Sequence, residues 1–234
     1  MMKLFCFTYA GGSASFYEQI EELLPKDIEV IKLEYAGHGT RRKEPFYADF
    51  DELAEDMYTQ IASRLSDGDA YALMGYSMGS ISVAETLRRV IARGELPLPK
   101  HVFLAAHEPQ TKVELRNYNS GELDELVKER TISFGAVPEK LIHNDSFWRM
   151  YLPIYRADYS IIGNYRFENL KLLTTVPVTV FYSESDTPFR DMKEWTRYFV
   201  GPSEFIEYTG SHFFIQEHKK AMAEVILKYI SDAD

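Results

Sequence analysis

At 234 residues the chain fits a single α/β domain spanning 1–234, long enough to bury a substantial core. A formal net charge of −10 without a long Lys/Arg stripe argues against wrapping a polyanion, so no nucleic-acid partner is expected. One cysteine, Cys6, excludes an intrachain disulfide and fits a reducing compartment.

In chain order, the apolar run at 3–9 reads as a strand, too short for a secretory leader. Gly11-Gly12-Ser13 then reads as a turn into a helix over 15–24. Further strands are expected at 28–35, 70–74, 101–106, 176–182 and 204–208. Helices are expected at 49–65, 78–93, 192–199 and 219–231. Within the first of these, Leu53, Met57, Ile61 and Leu65 recur every four residues, so one face is core. Short apolar runs alternating with helical patterns predict a mostly parallel sheet flanked by helices. No run approaches the ~20 apolar residues of a membrane span, and a soluble, cytoplasmic protein with no membrane partner is expected.

The alternation breaks once. Sixty-nine residues, 107–175, separate the strands at 101–106 and 176–182, far more than one crossover helix needs. Helical patterns at 123–132 and 147–155 fall inside that stretch. Residues 109–168 therefore read as a helical insertion over the C-terminal edge of the sheet, either a lid or an extra packing layer.

The chemistry centres on Gly75-Tyr76-Ser77-Met78-Gly79, which follows a strand and opens a helix. That is the G-x-S-x-G pattern in its strand–turn–helix setting, and it predicts an α/β-hydrolase fold with Ser77 as nucleophile. A serine needs a base, and the chain order for this fold is serine, acid, histidine. Of the histidines at 38, 101, 107, 143, 212 and 218, only His212 lies in a turn just past the last strand. His218 reads as a solvated residue of the final helix's first turn. Asp186, after the strand at 176–182, is the chosen acid, with Glu184 and Glu108 as rivals. Asp191 reads as a helix N-cap.

Two backbone N–H groups are expected to hold an oxyanion, those of Met78 and Ala10. Gly37-His38-Gly39 reads as a tight turn with a supporting histidine. No His/Cys/carboxylate cluster has metal spacing, so neither metal nor cofactor is expected, and Cys6 reads as a core residue. Phe134, Trp148, Tyr151 and Tyr155 of the insertion, with Phe147, are the aromatic residues placed to shield an acyl chain.

With these residues in view, the chain resembles the type II thioesterases that accompany non-ribosomal peptide and polyketide synthases. Phe7-Thr8-Tyr9-Ala10-Gly11-Gly12 is similar to the family's opening Phe-Pro-Tyr/Phe-Ala-Gly-Gly run. Tyr35-Ala36-Gly37-His38-Gly39 resembles its Pro-Gly-His-Gly loop, Arg156-Ala157-Asp158-Tyr159 a lid-helix signature, and Gly210-Ser211-His212-Phe213-Phe214 its histidine loop. Thr8, Ala36 and Tyr76 depart from the family's Pro, Pro and His, and none is a triad position.

The resemblance implies hydrolysis of misprimed or stalled acyl groups from the phosphopantetheine arm of carrier proteins. An acylated carrier protein is then the expected partner of a monomeric enzyme. Arg41-Arg42-Lys43, beyond Gly37, is the basic cluster placed to meet that carrier. A carboxylesterase or an acyltransferase acting on small acyl substrates would use the same triad. An inactive interaction module is the non-enzymatic alternative.

Overall fold

The computed structural model describes residues 1–109 and 124–231. Its strands are β1 (Met2–Phe7), β2 (Ile28–Lys32), β3 (Ala70–Tyr76), β4 (His101–Ala105), β5 (Val178–Tyr182) and β6 (Ser203–Glu207). They form one sheet in the order β2-β1-β3-β4-β5-β6, and every described pairing is parallel. All six expected strands form. Thr8 and Tyr9 leave the first one early, because the chain there turns out over the sheet edge.

The helices are α1 (Glu18–Glu21), α2 (Phe50–Ala62), α3 (Met78–Arg93), α4 (Asp124–Ser133), α5 (Asp145–Asn164), α6 (Phe189–Met192) and α7 (Ile215–Ser231). Two expected helices are shorter and tighter than their patterns predict. The stretch 15–24 is a 3₁₀ turn, Ala14–Tyr17, running into the single turn of α1. The stretch 192–199 is α6 followed by the 3₁₀ segment Lys193–Arg197. Asp191 lies inside α6, whose N-cap position is Pro188. Among the described residues no helix is long and apolar enough to cross a membrane.

Side chains alternate across the sheet with period two, which sorts the core into two layers. Phe5, Phe7 and Leu73 pack with Leu53, Met57 and Ile61 of α2 and with Leu87 of α3. Leu4, Cys6, Ala72 and Met74 pack on the other face with Met222, Ile226 and Ile230 of α7. Strands buried on both faces read as near-continuous apolar runs, which is why their positions are visible in the sequence.

α2 begins at Asp49, whose Oδ1 accepts the N–H groups of Asp51 and Glu52 at 2.9 Å each. Such a cap contributes about 1 kcal/mol. α3 ends on Gly94 at φ 64°, a left-handed C-cap.

Between β4 and β5, α4 and α5 form the described part of the expected insertion; its residues 110–123 lie outside the described residues. α5 continues nine residues past the expected end at 155, with Pro153 accommodated inside it. Trp148, Leu152, Tyr155, Tyr159 and Ile161 of α5 join the same core layer as α2 and α3. This helix is thus part of the packing as well as a cover over the sheet edge.

Candidate active site

The turn from β3 to α3 sets Ser77 at φ 55° and ψ −119°, a left-handed conformation unusual for a side-chain-bearing residue. Such strain costs on the order of 1–3 kcal/mol and persists only where the surroundings enforce it. Here the Ser77 N–H donates to the Ala105 carbonyl at 2.7 Å, and the Ser77 carbonyl accepts the Ser80 N–H at 2.8 Å. The flanking glycines allow the close approach. A Cβ on Gly75 would stand 2.2 Å from the Gly79 carbonyl oxygen, and one on Gly79 would stand 2.1 Å from that of Phe7. No side chain fits at either position. Ala106, after β4, is the other described non-glycine residue at positive φ, and it too borders the site.

His212 lies in the loop between β6 and α7, and its Nε2 stands 2.9 Å from Ser77 Oγ across 135 residues of sequence. Its Nδ1 is 3.0 Å from each oxygen of Asp186, in the loop after β5. A carboxylate only accepts, so Nδ1 carries the proton and Nε2 is left to accept the Ser77 hydroxyl. Both side chains are nearly buried, 10% exposed for His212 and 9% for Asp186, which strengthens the interaction relative to water.

The two loops are themselves fixed. Asp186 and Thr187 donate their N–H groups to the Ser183 carbonyl, and the Ser183 hydroxyl donates to the Gly210 carbonyl at 2.5 Å. The Phe134 ring lies 4.5 Å from the His212 ring. The rival carboxylates have other places: Glu184 Oε1 accepts the Phe189 N–H at 2.9 Å, and Glu108 lines the pocket.

A pocket of about 180 Å³ opens over Ser77. Ala10, in the loop after β1, borders it, and Met78 is the first residue of α3, where an N–H has no intrahelical partner. α4 and α5 supply Arg130, Phe134, Tyr159 and Ile162, with Phe134 just past the end of α4. The Arg130 guanidinium sits 5.4 Å from the ring centres of both Phe134 and Tyr159. His107 also lines the pocket and donates from Nδ1 to the Glu108 carbonyl at 2.7 Å; burial lowers its pKa and favours neutral imidazole. Among the described residues no three His, Cys, Asp or Glu side chains gather as a metal-binding group.

Of the aromatic residues expected over an acyl chain, Phe134 lines this pocket, whereas Trp148, Tyr151 and Tyr155 are not among its described walls. α5 is ~30 Å long by its 20 residues, and only its C-terminal turns cross the pocket. Trp148 instead donates its indole N–H to the Ile142 carbonyl at 2.7 Å, and Tyr151 stacks on Phe147. Tyr155 packs against Gly11. Tyr159, in the stretch that resembles a lid-helix signature, and Ile162 lie one and two turns beyond Tyr155 on the same face, past the end of the helical pattern at 147–155.

Arg41, in the expected docking cluster, is committed elsewhere. It pairs with Glu44 at 2.5 Å and Asp56 at 2.5 Å and donates to the Glu34 carbonyl. Arg42 and Lys43 are exposed. His38 is buried in the turn after β2, as the supporting role predicts. Cys6 is fully buried in the sheet, and burial pushes its thiol pKa up, away from thiolate chemistry. His218 lies in the first turn of α7 but is tied to Thr209 and stacked on Tyr208 rather than simply solvated.

The thioesterase domain model matches residues 2–231. Gramicidin S biosynthesis protein GrsT of Aneurinibacillus migulanus is 27% identical over 232 residues, covering 98% of this chain and 89% of that protein. The medium-chain S-acyl fatty acid synthase thioesterase of Rattus norvegicus is 27% identical over 220 residues, 93% of this chain and 82% of the relative. Among solved structures, the type II thioesterase BorB from the borrelidin biosynthetic cluster superposes with a TM-score of 0.85 at 26% identity, covering 98% of this chain and 92% of its own. ClbQ from the colibactin pathway shares the fold, with a TM-score of 0.88 at 23% identity and coverage of 98% and 97%. With its parallel sheet, its serine turn and a match running almost end to end, the chain belongs to the thioesterase domain family.

Proposed function

We propose that this protein is a type II thioesterase that hydrolyses acyl or aminoacyl groups from the phosphopantetheine arm of carrier proteins, in the cytoplasm. The observation that carries this reading is the hydrogen-bonded chain from Ser77 through His212 to Asp186 in a thioesterase-family fold. Ser77 Oγ attacks the thioester carbonyl carbon while its proton passes to His212 Nε2, and Asp186 stabilises the imidazolium formed. The carbonyl oxygen takes up the negative charge and accepts hydrogen bonds from the Ala10 and Met78 N–H groups.

Collapse of that intermediate breaks the carbon–sulfur bond, and His212 Nε2 returns its proton to the departing sulfur. The thiol has a pKa near ~8.5, so its departure asks less of His212 as an acid than an amine would. Water then attacks the acyl-Ser77 carbonyl and gives a proton to His212, and that proton returns to Ser77 as the acid leaves. Arg42 and Lys43 are the remaining cations of the cluster available to an acidic carrier, and the described insertion forms one wall of the acyl site.

The test is a comparison of an acyl-carrier thioester with an oxygen ester of the same acyl group, with and without an alcohol or amine acceptor. The thioester is expected to be hydrolysed faster, with free acid as product. Preference for the oxygen ester would indicate a carboxylesterase, and acyl transfer to the acceptor would indicate an acyltransferase.

A further inference from the structure

Directly above the loop after β1, α5 contributes a buried carboxylate that the reaction scheme does not use. Asp158 Oδ2 accepts the Gly11 N–H at 2.6 Å. The same oxygen is 2.9 Å from His38 Nε2, and His38 Nδ1 is 3.0 Å from the Ala36 carbonyl oxygen. The side chains are 2% exposed for His38 and 4% for Asp158. Three elements far apart in sequence, the β1 loop, the β2 loop and α5, therefore meet on one oxygen atom.

The proton positions follow from the acceptors. A carbonyl oxygen only accepts, so Nδ1 of His38 must donate to Ala36. Asp158 Oδ2 already accepts from Gly11, and a second donor from Nε2 completes an imidazolium–carboxylate pair. The His38 pKa is raised despite a desolvation effect that opposes it, through the Asp158 charge, the hydrogen bonds to Asp158 and Ala36, and the charge of Glu34. Tyr35 and Tyr155 also face the carboxylate, and both stay neutral because burial raises their pKa values.

Gly11 N–H belongs to the peptide that joins Ala10 to Gly11. Fixing that peptide plane limits how Ala10 can turn, and the Gly12 N–H donating to the Tyr9 carbonyl at 3.0 Å closes the loop from the other side. Gly11 sits at φ 77°, and a Cβ there would stand 1.9 Å from the Tyr155 ring, so α5 lies flush on this loop. We propose that Asp158, held by His38, is a positioning residue that keeps the Ala10 N–H aimed at the oxyanion. The role rests on the reading of Ser77 as nucleophile and Ala10 as oxyanion donor. It also makes the insertion a structural support of the oxyanion site as well as a cover.

An asparagine cannot reproduce the arrangement. Its oxygen can keep the Gly11 bond only by facing an uncharged Nε2, and its NH₂ can satisfy Nε2 only by releasing Gly11. Losing a direct oxyanion donor lowers kcat by ~10²–10³-fold, so misaiming one through its neighbour is expected to lower it about 10- to 100-fold. Because the interaction matters in the transition state, kcat and kcat/KM fall together and KM stays nearly constant.

The experiment measures kcat and KM of folded Asp158→Asn on a small acyl-cysteamine thioester, and the Gly11 amide proton of the wild type by NMR. The proposal predicts the kcat loss at constant KM, and a far-downfield Gly11 amide proton. Wild-type kcat, or a raised KM with kcat retained, would overturn it. Should Asp158→Asn fail to fold, His38→Gln, which keeps the carboxylate but removes its cation, is measured instead against the same two outcomes. Labelling of the wild type by a fluorophosphonate reads the underlying assignment separately: an unlabelled Ser77 rejects the nucleophile, whereas a labelled Ser77 with unaltered Asp158→Asn kinetics rejects only the positioning role.

Discussion

The hydroxyl of Tyr76, the residue before Ser77, donates to the backbone carbonyl of His212 at 2.7 Å. The proposed nucleophile turn and the proposed base loop are thus joined by a direct bond as well as through Ser77 itself. The Tyr76 ring also stacks on Phe213 with ring centres 6.1 Å apart, so it braces the loop by packing as well. Tyr76→Phe keeps the ring and removes the donor, leaving a buried carbonyl unsatisfied at a cost of ~1–3 kcal/mol. The variant is expected to unfold at lower urea and to lose several-fold in kcat as His212 gains freedom. Urea melts and steady-state kinetics check this, and wild-type values in both would mean that the bond holds nothing in place.

Hydrogen exchange separates the two described helices of the insertion. The C-terminal half of α5 is pinned by core packing and by Asp158, so its amides should exchange nearly as slowly as those of the sheet. α4 buries only Val127 and Thr131 among its described residues and should exchange faster. If α4 forms a movable wall of the acyl site, adding an acylated carrier to Ser77→Ala protein slows it further. Exchange in α4 as slow as in β3, and indifferent to the carrier, would mark it as a fixed packing layer.

Much of this arrangement is legible in the sequence, for identifiable reasons. β3 and α3 appear at once because Gly75 and Gly79 bracket a serine between an apolar run and an amphipathic one. His212 and Asp186 follow from the rule that functional loops leave the C-terminal ends of parallel strands. The full extent of α5 is not legible: the helical pattern at 147–155 already passes through Pro153, and core contacts of Tyr159 and Ile161 carry the helix on to Asn164. Nor does any periodicity connect His38 with Asp158, which are 120 residues apart and meet only through the fold. Arg41 shows the converse, since a charge run looks like a free surface until Glu44 and Asp56 are seen to engage its first member.

His101 supplies an acid-side stability signature. It is buried at the start of β4, 2.9 Å from Thr179 Oγ1 and stacked on Tyr229, and burial pushes its pKa down to about 4. An unfolded histidine titrates near ~6.5, so between those values the unfolded chain binds more protons than the folded one. The contribution of neutral His101 is therefore fully present above pH ~6.5 and is lost as pH falls towards about 4. Relative to His101→Gln, the wild-type urea midpoint should fall more steeply over that window. Parallel curves would mean that His101 is not buried in its neutral form.

Docking is tested at the two exposed cations. With this chain at −10, an acidic carrier would be repelled overall, so a local positive patch would have to oppose that repulsion. Arg42→Glu with Lys43→Glu is expected to lower kcat/KM for acyl-carrier protein while leaving a small acyl-cysteamine thioester unaffected. The loss should shrink as salt rises, since exposed charges are screened within ~10 Å at 0.1 M. Equal losses on both substrates would point to a disturbed loop, and unchanged carrier kinetics would put docking on another face.

The central claim, that Ser77 is the nucleophile of a carrier-directed thioesterase, is tested most directly by Ser77→Ala. The substitution removes one oxygen from a turn already held by backbone hydrogen bonds, so the protein should fold and melt like the wild type. The measurement is the release of free acid from an acyl-phosphopantetheinyl carrier protein by wild-type and Ser77→Ala enzyme. The wild type should release acid catalytically, and the variant should fall by on the order of 10⁶ in kcat, as removal of a triad nucleophile does elsewhere. Substantial turnover by pure, folded Ser77→Ala protein would contradict the account.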